Sequence, residues 1–180
     1  MIIAAIPYCP RVEGTVPEPG KDFGYAINSV FERLHADDWL LVLDHDLMFT
    51  TRDWYRRLEA AVAAKPDAGF FTLFRAPASE KTKWSEPPGV DAASNDMAYH
   101  WKYGKRLAEA ESGKLSDITD EECTAGIFLM SKAVWRAVGG FDRGFKAEFI
   151  DYAMHKKVRA AGYRSYLIRD VYMFHGKRFR

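Results

Sequence analysis

Cysteine is scarce: Cys9 and Cys123 are the two in the chain, and they do not stand at metal-type spacing. That excludes a disulfide framework and a cysteine zinc site, and makes a reducing cytoplasm the expected setting. Long apolar runs are missing too; none approaches the roughly 20 residues of a membrane-spanning helix. The opening Met1-Ile2-Ile3-Ala4-Ala5-Ile6 has no basic region ahead of it and is shorter than a secretory leader, so it reads as a first core strand. No internal repeat or low-complexity tract is visible. An excess of charge of one sign is also lacking, since the formal net charge is +1. The charge is unevenly spread, however: from His155 to Arg180 there are eight Lys or Arg against one acid. That end is a candidate anion site, or else a solvated helix face (Lys156, Lys157, Arg159) followed by a basic tail. Basic charge confined to one end, with no binding motif beside it, argues against a nucleic-acid partner.

What is present fits one soluble domain. The chain has 180 residues, 48% of them hydrophobic and 28% charged, enough for one well-buried core and too few for two. After the first strand, Tyr8 to Lys21 is rich in Pro and Gly and reads as a loop. Phe23, Ile27, Val30, Phe31 and Leu34 recur at helical spacing, with Asp22 as a cap. Trp39 to Leu43 is a fully apolar strand. Thr50 or Thr51 is placed to cap a helix carrying Trp54, Leu58 and Val62, which Pro66 ends. Ala68 to Phe74 is again strand-like, and this alternation predicts an α/β fold on a mostly parallel sheet with helices on both faces. Arg75 to Glu122 breaks the rhythm with Pro77, Pro87, Pro88 and the aromatics Trp84, Tyr99, Trp101 and Tyr103. We read it as a partly helical insertion over the active face. Its tryptophans either stack on a sugar ring or pack the insertion onto the body. Thr124 to Met130 is the next strand, Ser131 caps a short helix stopped by Gly139-Gly140, and Ile150 to Ala161 forms a last helix ended by Gly162. Tyr163 to Phe174 supplies one or two strands.

The most informative pattern is Asp44-His45-Asp46 at the end of the Trp39 to Leu43 run. Strands buried on both faces bind ligands just beyond their carboxyl ends. Two carboxylates two apart on an extended chain point to one side, so both are able to face one hard cation. The alternative is a turn cap at Asp44 and a solvated Asp46. Three further features follow: Gly139-Gly140-Phe141-Asp142, Asp151 opening the last amphipathic helix, and His175 closing the last strand.

In this order the set resembles family 2 of the glycosyltransferases, which have the GT-A fold, a Rossmann-like three-layer sandwich. Ile6-Pro7-Tyr8 is similar to the family's opening, Gly24-Tyr25-Ala26-Ile27-Asn28 to its helix ahead of the DxD motif, and Gly162-Tyr163 to the pair ending its last helix. The resemblance covers most of the chain apart from Tyr8 to Lys21 and Arg75 to Glu122. It implies an inverting hexosyltransferase that moves a sugar from a nucleotide-diphosphate donor, a UDP-sugar foremost, to an acceptor hydroxyl. It implies Asp46 as direct metal ligand, Asp44 near the donor ribose and the metal, His175 as a further ligand, and Mn2+ or Mg2+ as the cation. Pro7, Tyr8, Asn28, Lys177 and Arg178 become donor-binding candidates. Asp151 takes the position of the general base, with Glu148 as its substitute, because Ile150 stands where the family has a Glu. Asp151 read by itself is equally a first-turn acid at the positive end of a helix.

The chain departs from the family between Pro7 and Gly24, where a Pro-rich loop replaces a helix and a strand, so the part that reads the nucleotide base is shortened. Two other classes remain. One is a haloacid-dehalogenase-like phosphatase with Asp44 as nucleophile, although Leu47 and Met48 stand where that pattern prefers Thr or Val. The other is a non-catalytic carbohydrate-binding module on a transferase-like fold. His45, His100 and His155 read as solvated or satisfied histidines, and Trp135 and Phe141 as core.

Overall fold

A computed structural model of the chain describes residues 1–5, 23–123, 126–142 and 150–176. Within them run β1 (Ile2–Ala5), α1 (Phe23–Arg33), β2 (Trp39–Leu43), β3 (Leu47–Phe49), α2 (Trp54–Ala64) and β4 (Phe70–Ala76). A 3-10 turn at Glu80–Ser85, α3 (Met97–Ala110), β5 (Leu115–Asp117), β6 (Ile127–Ser131), α4 (Lys132–Ala137), α5 (Ile150–Ala160) and β7 (Ser165–His175) complete it. No helix among the described residues is long and apolar enough to cross a membrane.

The fold is α/β, but its seven-stranded sheet is mixed, in the order β1-β2-β6-β4-β7-β3 with β5 also on β7. β1 is parallel to β2 and β4 to β7, whereas β6 runs against both β2 and β4, and β3 and β5 run against β7. The expectation of a mostly parallel sheet is therefore corrected. Strand-helix alternation is its basis, but the stretch from β4 to β6 leaves the chain at the end of the sheet where β4 finishes, so β6 runs back against β4.

Every residue of β2, β4 and β6 is buried, which requires cover on both faces. Ring contacts show that cover. Phe70 meets Phe128 and His155 on one side of β4, and its neighbour Phe71 meets Trp39 and Tyr166 on the other. Phe31 of α1 stacks on Trp135 of α4 and on Phe141, so both of these are core, as the sequence indicates. Asn28 holds this corner: its Oδ1 accepts from Phe141 N and Trp135 Nε1, both at 2.8 Å, and its Nδ2 donates to Phe141 O.

The sheet closes over at one end. β2 and β3 are four places apart in the order, roughly 19 Å in a flat sheet at about 4.8 Å per strand. Yet Leu47 N–H donates to Asp44 O at 3.3 Å. The curl is taken up where β4 and β6 share the single pairing Phe71↔Leu129 and where the β4–β7 register slips, Leu73 facing Ile168 but Phe74 facing Tyr172.

Local details differ from the sequence reading in instructive ways. α2 is preceded by Asp53, and Thr50 and Thr51 do not cap it. Their hydroxyls bind β7 instead, Thr50 Oγ1 donating to Tyr172 O and Tyr172 N donating to Thr51 Oγ1. The proposed cap Asp22 lies outside the described residues. Ser131 does cap α4, accepting from Val134 N at 3.1 Å. The segment after β4 is more regular than expected: α3 is its main element and packs on β7 through His100 and Tyr103 against Tyr172. His100 is satisfied, with Tyr172 Oη and Ser94 O on its two ring nitrogens. Trp84 packs against the core, whereas Trp101 stays exposed. Lys157, read as solvated, is tied to Asp142 and to Gly140 O, and Arg159 pairs with Asp120.

Candidate active site

The strand directions decide where chemistry can gather. β2, β4 and β7 end, and β6 and β3 begin, at the same end of the sheet. Asp44 therefore follows β2, Arg75 sits near the end of β4, Gly126 precedes β6, and His175 ends β7. Asp44-His45-Asp46 is a turn rather than an extended pair, which corrects the geometry expected of it. Asp44 N–H is held by Gly126 O at 2.9 Å, and Asp46 O accepts from Gly176 N at 2.8 Å. The turn places Asp46 beside the end of β7, where His175 Nε2 lies 3.2 Å from Asp46 Oδ1.

One donor atom from each of Asp44, Asp46 and His175 lies within 4.8 Å of the other two. An octahedral ion with bonds of about 2.1 Å has neighbouring donors about 3.0 Å apart and opposite donors about 4.2 Å apart. The cluster thus needs only a small contraction to close on a cation. Two carboxylates and an imidazole are a donor set suited to manganese, and magnesium would use the carboxylates with other oxygens. Charge fits as well. The Asp44 carboxyl is held above the usual carboxylate range by burial, then by repulsion from Asp46 and Asp151, with Arg75 and His45 opposing. A cation would relieve that repulsion.

Asp151 is the second acid of the site. It is 6% exposed in the first turn of α5. Its Oδ1 accepts from Tyr152 N and its Oδ2 from Gly126 N, both at 2.8 Å. Burial raises its carboxyl pKa, opposed by those two N–H groups and by Arg75. It accepts from the start of its own helix, and its charge acts on Asp44.

Two residues of this site went unrecognised in the sequence. Arg75 is 4% exposed and donates from Nη2 to Thr82 Oγ1 at 3.0 Å, while its charge acts on Asp151 and Asp44. The sequence makes it the first residue of the insertion, whereas it lies near the end of β4 much as Asp44 follows the end of β2. Gly126 falls inside the expected strand Thr124 to Met130 but precedes the observed β6. Its φ is +59°, and a Cβ there would fall on Asp44 Oδ2, so glycine is what lets the Asp44 carboxylate lie against the backbone. A glycine inside an apparent strand was the available signal.

The structure brings together Asp44, Asp46, His175 and, through Gly126 and Arg75, Asp151. It does not bring in Asn28, whose amide is engaged at the Gly140–Phe141 corner. Pro7, Tyr8, Glu148, Lys177 and Arg178 lie outside the described residues. No family model matches the chain, and no curated protein sequence matches it.

Proposed function

We propose that the chain is a metal-dependent inverting glycosyltransferase with a GT-A-like fold, related to family 2. The observation that carries this reading is the convergence of Asp44, Asp46 and His175, drawn from two distant parts of the sequence, beside a buried Asp151. Asp46 and His175 would hold Mn2+ or Mg2+ with Asp44 at its side. When bound, the cation supplies Lewis-acid stabilisation of charge on a departing nucleoside diphosphate.

The chain's own groups do the rest. Asp151 takes the proton of the acceptor hydroxyl at a carboxylate oxygen. Burial that raises its pKa makes it a stronger base than a solvated aspartate. Arg75 opposes the rise that burial gives the pKa of Asp44 and of Asp151, and Gly126 lies against both carboxylates. A UDP-sugar is the donor this reading favours, with Pro7, Tyr8, Lys177 and Arg178 as its contacts and Glu148 as an alternative base. A cytoplasmic location belongs to the same reading.

The test is sugar release from a panel of nucleotide sugars with Mn2+ present. The expected result is turnover that chelator abolishes and that Asp46→Ala and Asp151→Asn remove. Undiminished metal-dependent turnover in Asp46→Ala overturns the assignment.

A further inference from the structure

A groove of about 1370 Å³ runs between the start of α2 and one face of α3. It does not include the Asp44–Asp46–His175 cluster. Trp101, Lys102, Lys105 and Glu109 line one wall, a stripe with the one-turn spacing of a helix face. Arg52, Tyr55 and Arg56 line the other.

Its walls are built rather than incidental. A Cβ on Gly104 would lie 2.7 Å from Thr50 O, so α3 is seated directly on the chain leaving β3. Arg57 ties the two helices by donating to Ala108 O at 3.1 Å, and it anchors α2 on β7 by donating to Asp170 Oδ2 at 2.8 Å. Trp54 stacks on Phe49 with ring centroids 3.9 Å apart, which fixes the start of α2.

Two features of the surface point to a ligand. Trp101 is 54% exposed and Tyr55 36% exposed, large flat faces left to solvent on both sides of one groove. Arg52, Arg56, Lys102 and Lys105 form no ion pair among the described residues, in contrast to Arg57, which has Asp53 and Asp170. Lys102 and Lys105 stand on the same stretch of α3 at a spacing where like charges repel. A bound anion removes that repulsion, and aromatic faces flanked by cations suit a ligand with apolar ring faces and charged substituents.

We propose that this groove binds an acidic oligosaccharide, one bearing carboxylate or phosphate groups, as the acceptor. The identity of the ligand as acceptor rests on the transferase reading given above. The path supports it: Thr50, at the groove wall, is four residues from Asp46 along β3, about 13 Å at roughly 3.3 Å per residue, the reach of a chain of a few sugars. Nucleic acid is the less fitting polyanion, because the whole chain carries only +1.

Calorimetric titration of the full chain with oligogalacturonate, a neutral oligosaccharide of equal length and an oligothymidylate of matched charge tests this. The expected result is binding of oligogalacturonate that weakens with salt and is the same with Mn2+ or with chelator. It should fall about tenfold in Trp101→Ala and in the Lys102→Ala/Lys105→Ala double variant, the effect of removing one well-placed contact. All these side chains are exposed, and unchanged circular dichroism would confirm that the variants fold. Absence of oligogalacturonate binding, equal binding of the neutral chain, tighter binding of oligothymidylate, or indifference to every groove substitution would each overturn the proposal. Intact oligogalacturonate binding together with no sugar release from any nucleotide sugar would support the groove while removing the transferase reading.

Discussion

His175 Nε2 lies 3.2 Å from Asp46 Oδ1 because β3 and β7 pair antiparallel with Leu47 opposite His175. The contact ties a turn in the first third of the chain to the end of its last strand. On the proposed function, metal affinity would depend on the integrity of the β3–β7 pairing.

The first prediction concerns that contact. Asp46→Ala and His175→Ala should each lower Mn2+ affinity by about 100-fold or more, since even outer-sphere changes at metal sites reduce affinity 10- to 100-fold. Titration calorimetry with MnCl2 reads this directly. Equal affinity in either variant would mean that these residues do not form the site.

Arg75 yields the second. Its charge acts on the buried Asp151 and on the half-buried Asp44. Arg75→Met should cost about 3–5 kcal/mol at neutral pH, the range for removing one partner from a buried charge group. Urea unfolding measures it. Recovery of much of the loss in an Arg75→Met/Asp151→Asn double variant would identify the uncompensated Asp151 charge as its source.

At Gly126 backbone and site chemistry meet. Gly126→Ala places a side chain at φ +59° and drives it into the Asp44 carboxylate. The left-handed backbone alone costs about 1–2 kcal/mol, so the melting temperature should drop. Mn2+ affinity should drop as well, because Asp44 must move. A variant destabilised but with native metal affinity would show that Asp44 is not a ligand.

The pH dependence of stability separates two opposed effects. Asp44 and Asp151 have folded pKa values above the ordinary 3.8. Above that pH the native state holds more protons than the unfolded chain, so metal-free stability falls as pH rises through the folded values. Asp151→Asn should flatten this fall, and saturating Mn2+ should oppose it. His155 acts with the other sign. It is 3% exposed, with Nε2 lacking a hydrogen-bond partner among the described residues. Burial lowers its pKa from 6.5 to about 4. Its contribution is complete above 6.5 and is lost as pH falls toward 4, by at most about 3 kcal/mol. Unfolding curves across this range should lose that acid sensitivity in His155→Phe.

Much of this architecture was legible in the sequence where local pattern determines it. Trp39 to Leu43 is a strand because five consecutive apolar residues have to be covered on both faces, and α1 follows from apolar residues one turn apart. The direction of β6 was not legible, since it depends on how the chain returns after β4, a non-local matter that no short window contains. The bounds of β4 lie two residues later than Ala68 to Phe74, at Phe70–Ala76, because Ala68 N–H closes a turn on Lys65 O rather than joining the ladder. At the site, the identities of Asp44, Asp46, Asp151 and His175 came from residue type and order. Their mutual geometry did not, because it depends on the curl of the sheet. Arg75 is not legible as a site residue because an arginine at the end of a strand looks the same in sequence as the start of a polar segment.

The slip in the β4–β7 ladder sets a phase. One step from Leu73 to Phe74 corresponds to four steps from Ile168 to Tyr172 on β7, leaving Arg169, Asp170 and Val171 as three extra residues. Three is odd, so every side chain beyond them emerges on the face opposite to the one an uninterrupted strand would give it. Asp170 fastens the extra loop through Arg57 and Gly113 N. A length change of one residue there would turn His175 away from Asp46, whereas a change of two would preserve the facing. Tolerance of this segment to insertion and deletion should therefore alternate with parity, an arithmetic constraint on the Asp46–His175 contact written into a strand that otherwise looks like plain core.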